Sequence, residues 1–313
     1  MRKGPDGRLY AINPENGFFG VAPGTNMKSN PNALISTQKA PSSPTLRVTS
    51  MTTPFGGRAS TRNRRSTQKE WKGAKVNGPP SILLLATSWL IRNSRFTAPT
   101  ANCPCLSSEF ENPQGVPVSA IVFGGRRPDT VPLVYQSRSW NNGVFIGSIT
   151  GSETTAAAAG AVGVVRRDPM AMLPFCGYNM GDYFKHWIEM GEMLGDKAPK
   201  IFNVNWFRVD EDGHFIWPGF GDNLRVLEWI LKRCDNEVDA VETAIGYVPK
   251  PEDINLEGLK DFDEEKLASI LKVDNAKWAK EAAGVEEFYK KFGDKLPQEL
   301  RDELNGLEER TKA

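Results

Sequence analysis

Two adjacent arginines follow two glycines in the motif Phe123-Gly124-Gly125-Arg126-Arg127-Pro128. Glycine lets a ligand approach the backbone closely, and each guanidinium presents paired N–H donors that match the oxygens of a phosphate or a carboxylate. The motif therefore predicts an anion-binding site. Two surface arginines after a strand are a common arrangement, and that plainer interpretation stays open.

A dense group of aromatic side chains lies between residues 205 and 223. Its members are Trp206, Phe207, Phe215, Trp217 and Phe220, with Asn205 and Asn223 at its ends. Rings around turns can form a slot for a flat purine, and an asparagine amide offers a donor and an acceptor to the edge of the base. The alternative is a small hydrophobic core with a capping asparagine.

Two further segments could take part in binding. Residues 151–165 carry small side chains and several glycines, as a mobile lid would, although the start of a helix fits the same pattern. Asn93-Ser94-Arg95 puts an arginine beside short polar groups that could hold a carboxylate. His186 lies in a run of aromatic residues and is interpreted as a core or rim histidine, not a catalytic one.

Counting residue types excludes several kinds of site. The chain has 2 histidines and 4 cysteines, too few for a histidine-rich metal cage or a disulfide framework. Cys103 and Cys105 have no second pair at zinc spacing, and we expect all the cysteines to be reduced thiols. No Gly-x-Ser-x-Gly motif supports a serine nucleophile.

Charge and hydropathy narrow the class further. A formal net charge of +1 with 25% charged residues describes an ordinary globular chain without a protein-wide nucleic-acid surface. The apolar run 82–91 is about half as long as the ~20 residues that cross a bilayer, and no secretory signal follows Met1. We expect a cytoplasmic protein with no membrane or nucleic-acid partner.

Residues 40–92 differ from the rest of the chain. Between Pro41 and Pro80 there are 8 Arg and Lys residues against 1 acid, without any apolar period, whereas residues 251–313 hold 17 acids against 11 bases. We expect the basic segment to be unstructured. A solvated loop is favoured over a nucleic-acid arm because no stacking rings are interleaved among the arginines.

The elements that must position these residues follow the pattern of an α/β domain from residue 119 onward. Short β-branched or aromatic runs predict strands at 119–123, 131–135, 143–149 and 201–207, with a partner strand at 214–217 after a polar turn. Helical spacing predicts a helix around residues 183–194. A second helix should follow an N-cap at Asp222 and bury Leu224, Leu227, Ile230 and Leu231. Further helices at 263–271, 275–292 and 297–310 are expected to form an outer cover.

Taken together, the motifs resemble those of the GTP-dependent phosphoenolpyruvate carboxykinases. The likeness covers residues 7–39 and 93–313, and it is carried by residues 8–25, the arginine motif, Arg167-Asp168-Pro169-Met170-Ala171-Met172, Asn205-Trp206-Phe207-Arg208 and Trp217-Pro218-Gly219-Phe220-Gly221. It implies an α/β fold class, the incomplete C-terminal mixed-sheet nucleotide-binding domain of that family with C-terminal helices. Residues 1–39 would begin this domain, and residues 93–313 would continue it with a lid at 151–165 and a helical tail at 260–313.

The resemblance also implies a reaction. Oxaloacetate loses carbon dioxide, and the enolate takes the γ-phosphoryl group of GTP to give phosphoenolpyruvate and GDP, a step of gluconeogenesis. Asn93 and Arg95 would bind the substrate carboxylates, and Arg126 and Arg127 would meet the phosphates, with Arg95 and Arg127 as the catalytic residues. The guanine site would consist of Phe207, Phe215, Phe220 and Asn223. The family uses Mn²⁺ or Mg²⁺, and we expect a monomer.

Two departures accompany the likeness. The family's Gly-Lys-Thr phosphate loop and its Lys, His and Asp metal ligands have no counterpart in the matched motifs, so we expect this chain to be truncated, without metal ligands and inactive alone. The likeness also lapses over residues 40–92, which we interpret as read out of frame; sequencing the coding nucleotides would test this. The alternative function is a noncatalytic purine-nucleotide-binding fragment whose basic segment serves another partner.

Overall fold

The computed structural model describes residues 1–13, 17–21, 27, 95–103, 105–154 and 163–312. The chain divides into two compact units, Met1–Ala11 with Pro117–Ala313, and Ile12–Val116. The basic segment 40–92, its apolar run 82–91 and Asn93 all lie outside the described residues.

The described strands are short. They are β1 (Arg2–Lys3), β2 (Leu9–Ala11), β3 (Gly17–Val21), β4 (Arg95–Pro99), β5 (Val116–Pro117), β6 (Ala120–Gly124), β7 (Val134–Gln136), β8 (Gly151–Glu153), β9 (Val165–Arg167), β10 (Lys200–Val204), β11 (Val241–Thr243) and β12 (Gly246–Val248). The described α-helices are α1 (Trp140–Ser148), α2 (Met180–Leu194), α3 (Asn223–Cys234), α4 (Glu264–Leu271), α5 (Asn275–Tyr289) and α6 (Gln298–Lys312). None of these helices is long and apolar enough to cross a bilayer.

A mixed sheet of five strands, in the order β11-β12-β7-β10-β6, is the centre of the larger unit. Strands β10 and β6 are parallel, whereas β10 and β7 are antiparallel. Successive side chains of a strand point to opposite faces, so each face of the sheet packs on its own helices. Phe202 and Val204 join the core of α3 and α4, and Tyr135 joins the core of α1, α2, α5 and α6.

The expected strand at 143–149 is wrong, because these residues belong to α1. The Ser139 side chain accepts a hydrogen bond from the Asn142 amide and so caps the helix. Every residue from 142 to 148 is buried, and a short, wholly buried apolar run has no polar face to distinguish a helix from a strand. The apolar composition of residues 143–149 therefore led to the wrong prediction of a strand.

The buried face predicted for α3 is also wrong in part. Ile230 is buried as expected, but Leu224 and Leu231 are 67% and 58% exposed and Leu227 is exposed too. Val226 and Trp229 take their place in the core, each with 0% exposure. The helix begins after Asp222 as expected, yet the Asp222 carboxylate accepts a hydrogen bond from Arg225 Nε instead of capping a backbone amide.

The C-terminal helices begin and end near their predicted positions. Asp263 and Asp274 cap α4 and α5 by accepting hydrogen bonds from Lys266 N and Lys277 N. Each of α5 and α6 has one buried face, which contributes Trp278, Leu300 and other residues to the main core, and one exposed face. In the smaller unit, β3 pairs antiparallel with β4, and a 3-10 turn at Thr100–Asn102 follows.

Candidate functional site

The arginine motif and the first aromatic residues lie on neighbouring loops. Strands β6 and β10 run parallel in register from Ala120 opposite Lys200 to Gly124 opposite Val204. The carboxyl ends of parallel strands meet at one edge of a sheet, which is where ligands bind in open α/β sheets. The loops that continue β6 and β10 therefore emerge side by side.

Asn205 joins the two loops. Its side chain is 1% exposed, and its Oδ1 accepts hydrogen bonds from the backbone amides of Arg127 and Phe207, each at 3.2 Å. Its Nδ2 donates to the carbonyl oxygens of Arg127 and Val131 at 2.7 Å and 2.8 Å. This amide is consequently occupied inside the protein and fixes the backbone of the arginine motif.

Arg126 lies over the aromatic rings of the neighbouring loop. Its Cζ is 4.1 Å from the ring centroid of Phe207 and 6.0 Å from that of Phe215. The two rings meet edge to face with centroids 5.8 Å apart. Attraction between the cation and the ring faces holds a half-buried positive charge directly beside exposed aromatic surface.

Arg127 points into a buried ion cluster with Glu281 of α5 and Arg167 of β9. Its Nη1 and Nη2 donate to the two carboxylate oxygens of Glu281 at 2.9 Å and 3.0 Å. The Arg167 Nη1 lies 2.7 Å from Oε1 of the same carboxylate and donates to the Ile149 carbonyl at 2.8 Å. Two positive charges thus share one negative charge, with side chains 9% to 12% exposed.

The electrostatics of this cluster favour an ionised carboxylate. Burial by itself opposes ionisation of Glu281, but the hydrogen bond from Arg127 and the charge of Arg167 outweigh it and hold the pKa of the carboxyl below its ordinary value. The cluster therefore keeps an excess of positive charge next to the arginine motif.

The residues predicted to form a lid begin and end in a β-hairpin. Strands β8 and β9 pair antiparallel from Gly151 opposite Arg167 to Glu153 opposite Val165, so the alternative of a helix start is wrong for these ends. Residues 155–162 lie outside the described residues. The lid itself stays a prediction.

This hairpin is bonded to the arginine motif. The Arg126 amide donates to Ser152 Oγ at 3.0 Å, and the Glu153 amide donates to the Arg126 carbonyl at 2.8 Å. A Cβ atom on Gly125 would lie 2.3 Å from the Gly151 carbonyl oxygen, so only glycine fits there. The second glycine of the motif thus serves the packing of two chain segments.

The predicted aromatic group divides into buried and exposed members. Trp217 is 2% exposed and packs in the core against Phe262, so for this residue the core interpretation is right. Phe215 and Phe220 are 57% and 82% exposed. Asn223 Oδ1 accepts a hydrogen bond from Trp217 Nε1 at 2.8 Å, which leaves the Asn223 donors for other partners.

The expected strand at 214–217 reduces to one bridge between Val209 and Phe215.

The remaining predicted site residues, Asn93 and Arg95, belong to the range of the smaller unit. The backbone of Arg95 pairs with Val21 in the smaller unit, and Asn93 lies outside the described residues. His186, interpreted as a core or rim histidine, is on the exposed face of α2, so the core alternative is wrong. All four cysteines are free thiols. Within the described part of the chain, no group of three or more His, Cys, Asp or Glu side chains could hold a metal ion.

The sequence interpretation missed Glu281 and the clamping role of Asn205. Glu281 lies in a helix that was predicted, but its partner Arg127 is 154 positions away. In the sequence, the one available signal was an acidic residue at helical spacing from the apolar residues Trp278 and Val285, both of which are buried. The direction in which the Glu281 carboxylate points depends on the tertiary fold. No local pattern identifies such a pair.

Fold and site together define a class: a mixed α/β domain with arginines and exposed phenyl rings on adjacent loops at the carboxyl edge of its sheet. The family described as phosphoenolpyruvate carboxykinase C-terminal P-loop domain matches residues 1–310. The chain belongs to this family. The resemblance and the fold class inferred from the motifs are thereby confirmed.

Curated relatives carry the name phosphoenolpyruvate carboxykinase [GTP]. The protein of Treponema pallidum (strain Nichols) is 48% identical over 326 residues, which cover 99% of this chain and 50% of the relative. The protein of Renibacterium salmoninarum is 51% identical over 310 residues, covering 97% and 49%, and that of Corynebacterium jeikeium is 48% identical, covering 99% and 50%. The chain spans about half the length of these relatives.

Proposed function

We propose that this chain provides the guanine-nucleotide half of a GTP-dependent phosphoenolpyruvate carboxykinase. The reaction converts oxaloacetate and GTP to phosphoenolpyruvate, GDP and carbon dioxide. The observation that carries the proposal is the position of Arg126 over Phe207, because it joins a cation suited to phosphate to a ring surface suited to a base.

The base is proposed to bind among Phe207, Phe215 and Phe220. Two of these rings already meet edge to face, and the exposure of Phe220 leaves its ring available for stacking. The Trp217 indole occupies Oδ1 of Asn223, so the Nδ2 donors would meet the O6 acceptor of guanine. Adenine carries an amino donor at that position and would be disfavoured.

The phosphates are proposed to bind at Arg126 and Arg127. Arg127 gives two of its N–H donors to Glu281, and a guanidinium has five, so further donors remain for an anion. The cluster of Arg127, Glu281 and Arg167 carries an excess positive charge. This charge would stabilise the γ-phosphoryl group and would reduce the repulsion between that group and the anionic enolate. Arg127 is therefore the proposed catalytic residue of this unit.

The proposal also includes substrate contacts by Asn93 and Arg95, closure of residues 151–165 over the site, a monomeric state and a cytoplasmic location. The Mn²⁺ or Mg²⁺ that the family uses would be held by residues that correspond to the other half of the relatives. Closure would exclude water and so protect the enolate from protonation to pyruvate. The described residues do not fit a divalent cation, so no step of the proposal passes through one. Turnover would require residues that correspond to the other half of the relatives.

Nucleotide titration tests the base site. GDP and ADP are titrated into the chain, with and without Mn²⁺, by calorimetry. We expect GDP to bind more tightly than ADP, and Phe220→Ala to weaken GDP by about tenfold through loss of stacking worth about 1–2 kcal/mol. Asn223→Asp keeps the acceptor for Trp217 but removes the donors, so it should abolish the preference for guanine.

Phe175→Ala is the matched control, because Phe175 is a phenylalanine of similar exposure, 76%, that is not one of the rings of the proposed slot. It should leave GDP binding unchanged. Equal loss of GDP and ADP binding in the Asn223→Asp variant would refute the base assignment. Formation of phosphoenolpyruvate by this chain alone would show that residues corresponding to the other half of the relatives are not required.

A further inference from the structure

Two thiols of the smaller unit lie close together. The sulfur atoms of Cys103 and Cys105 are 3.6 Å apart, with one residue between them in sequence. Cys105 is exposed and Cys103 is partly exposed, so both are open to reagents in solution. An S–S bond is about 2.05 Å long, so side-chain rotations that shorten the gap by about 1.5 Å would close it.

The backbone on both sides of the pair is held by turns. The Cys103 amide donates to the Thr100 carbonyl at 2.9 Å and ends the 3-10 turn Thr100–Asn102. The Leu106 amide donates to the Cys103 carbonyl at 3.3 Å. The backbone hydrogen bonds that flank the pair thus lie within residues 100–106.

The proximity of the two sulfur atoms changes the pKa of Cys105. The hydrogen bond and the charge of the Cys103 sulfur raise the pKa of Cys105 above its ordinary value. Cys105 therefore holds its proton more tightly than an isolated cysteine, and its sulfur lies close enough to the Cys103 sulfur to attack it once Cys103 carries a leaving group. A thiolate with an adjacent protonated thiol is the arrangement of an attacking cysteine and a resolving cysteine.

We propose that Cys103 and Cys105 form a dithiol site that exchanges with small disulfides such as oxidised glutathione and closes to an internal disulfide. The Cys103 thiolate attacks one glutathione sulfur, which forms a mixed disulfide and releases one glutathione thiolate. Cys105 then loses its proton, attacks the Cys103 sulfur and releases the second glutathione. The protein gives up two electrons and two protons, and one disulfide becomes two thiols.

The two other cysteines provide internal comparisons. Cys176 Sγ donates to the Tyr178 carbonyl and Cys234 Sγ donates to the Ser119 carbonyl, both at 3.4 Å. Burial also raises the pKa of Cys234. These thiols should therefore form at most mixed disulfides under the same conditions.

The test equilibrates the full chain with mixtures of reduced and oxidised glutathione, alkylates the remaining thiols and analyses tryptic peptides by mass spectrometry. The peptide with Cys103 and Cys105 should lose two hydrogen atoms and carry no glutathione. Cys105→Ser should stop at a mixed disulfide on Cys103 and require about tenfold more oxidised glutathione for half-conversion, because the internal second step is lost.

Cys176→Ser and Cys234→Ser are the controls and should leave the internal disulfide unchanged. The proposal is overturned if the wild-type peptide carries glutathione on both cysteines or stays reduced at every ratio of reduced to oxidised glutathione. GDP binding plays no part in this readout, so failure here is separate from failure of the proposed nucleotide site.

Discussion

The guanidinium of Arg127 binds the carboxylate of Glu281 through two parallel hydrogen bonds of 2.9 Å and 3.0 Å, although 154 positions separate them in the chain. The bond ties the loop after β6 to helix α5, and Arg167 of β9 binds the same carboxylate. Three segments around the proposed phosphate site thus depend on one glutamate. Removing one partner of such a buried ion pair is costly because the other charge stays buried.

Glu281→Gln should lower the free energy of unfolding at pH 7 by about 1–3 kcal/mol, because a neutral amide cannot balance two arginines. The folded-state pKa of Glu281 is lowered, so its contribution is complete above the ordinary glutamate pKa of about 4.3 and is lost as the pH falls through the lower folded value. Urea unfolding at several pH values should show the difference between the two proteins shrinking below about pH 4.

Glu286→Gln is the matched control for this experiment, because Glu286 is exposed on the same helix. Its stability should follow the wild-type curve within about 0.5 kcal/mol at every pH. A wild-type to Glu281→Gln difference that stays constant down to pH 3 would contradict the proposed charge linkage.

Arg126→Ala and Arg127→Ala should both weaken GDP binding but should differ in their cost to stability. Arg126 contacts ring faces and forms no ion pair with a carboxylate of the described residues, so its loss should weaken GDP by about tenfold and cost at most about 1 kcal/mol of stability. Arg127→Ala leaves Glu281 buried with Arg167 alone and should cost about 3 kcal/mol. Calorimetric titration and urea unfolding of both variants measure this.

Salt provides a second readout for the Arg126→Ala variant. Because a half-exposed cation is screened by ions, the gap in GDP affinity between wild type and Arg126→Ala should narrow as NaCl rises from about 50 mM to about 500 mM. An Arg126→Ala variant that binds GDP like the wild type at low salt would exclude this residue from the phosphate site.

Gly125→Ala should destabilise the protein by about 1–3 kcal/mol, since its new methyl group would meet the Gly151 carbonyl oxygen at 2.3 Å and separate the arginine motif from the β8–β9 hairpin. Gly177→Ala is the control, because nothing lies within 4 Å of its added Cβ. Thermal unfolding of the two variants should differ by several degrees. Equal melting temperatures would mean that the two segments are not held together in solution.

Local sequence was sufficient for much of the fold. Helices α2, α4, α5 and α6 follow from apolar spacing, whereas their caps at Asp263 and Asp274 were not predicted and were found only in the structure. Strands β6 and β10 follow from β-branched runs next to turn residues. Where every residue of a segment is buried, as in α1, the polar face that shows the period is missing and the sequence pattern is ambiguous.

The family was determined by the sequence itself, because long motifs such as Trp217-Pro218-Gly219-Phe220-Gly221 are carried by residue types in order. Only the tertiary structure decided what those residues contact. Asn205 hydrogen-bonds the backbone of two loops, and Arg127 is bound to Glu281. Leu224 faces solvent, whereas Val226 is buried. The reason is physical. Caps and periodicity act over a few residues, whereas burial and ion pairing depend on which distant segments the folded chain brings together.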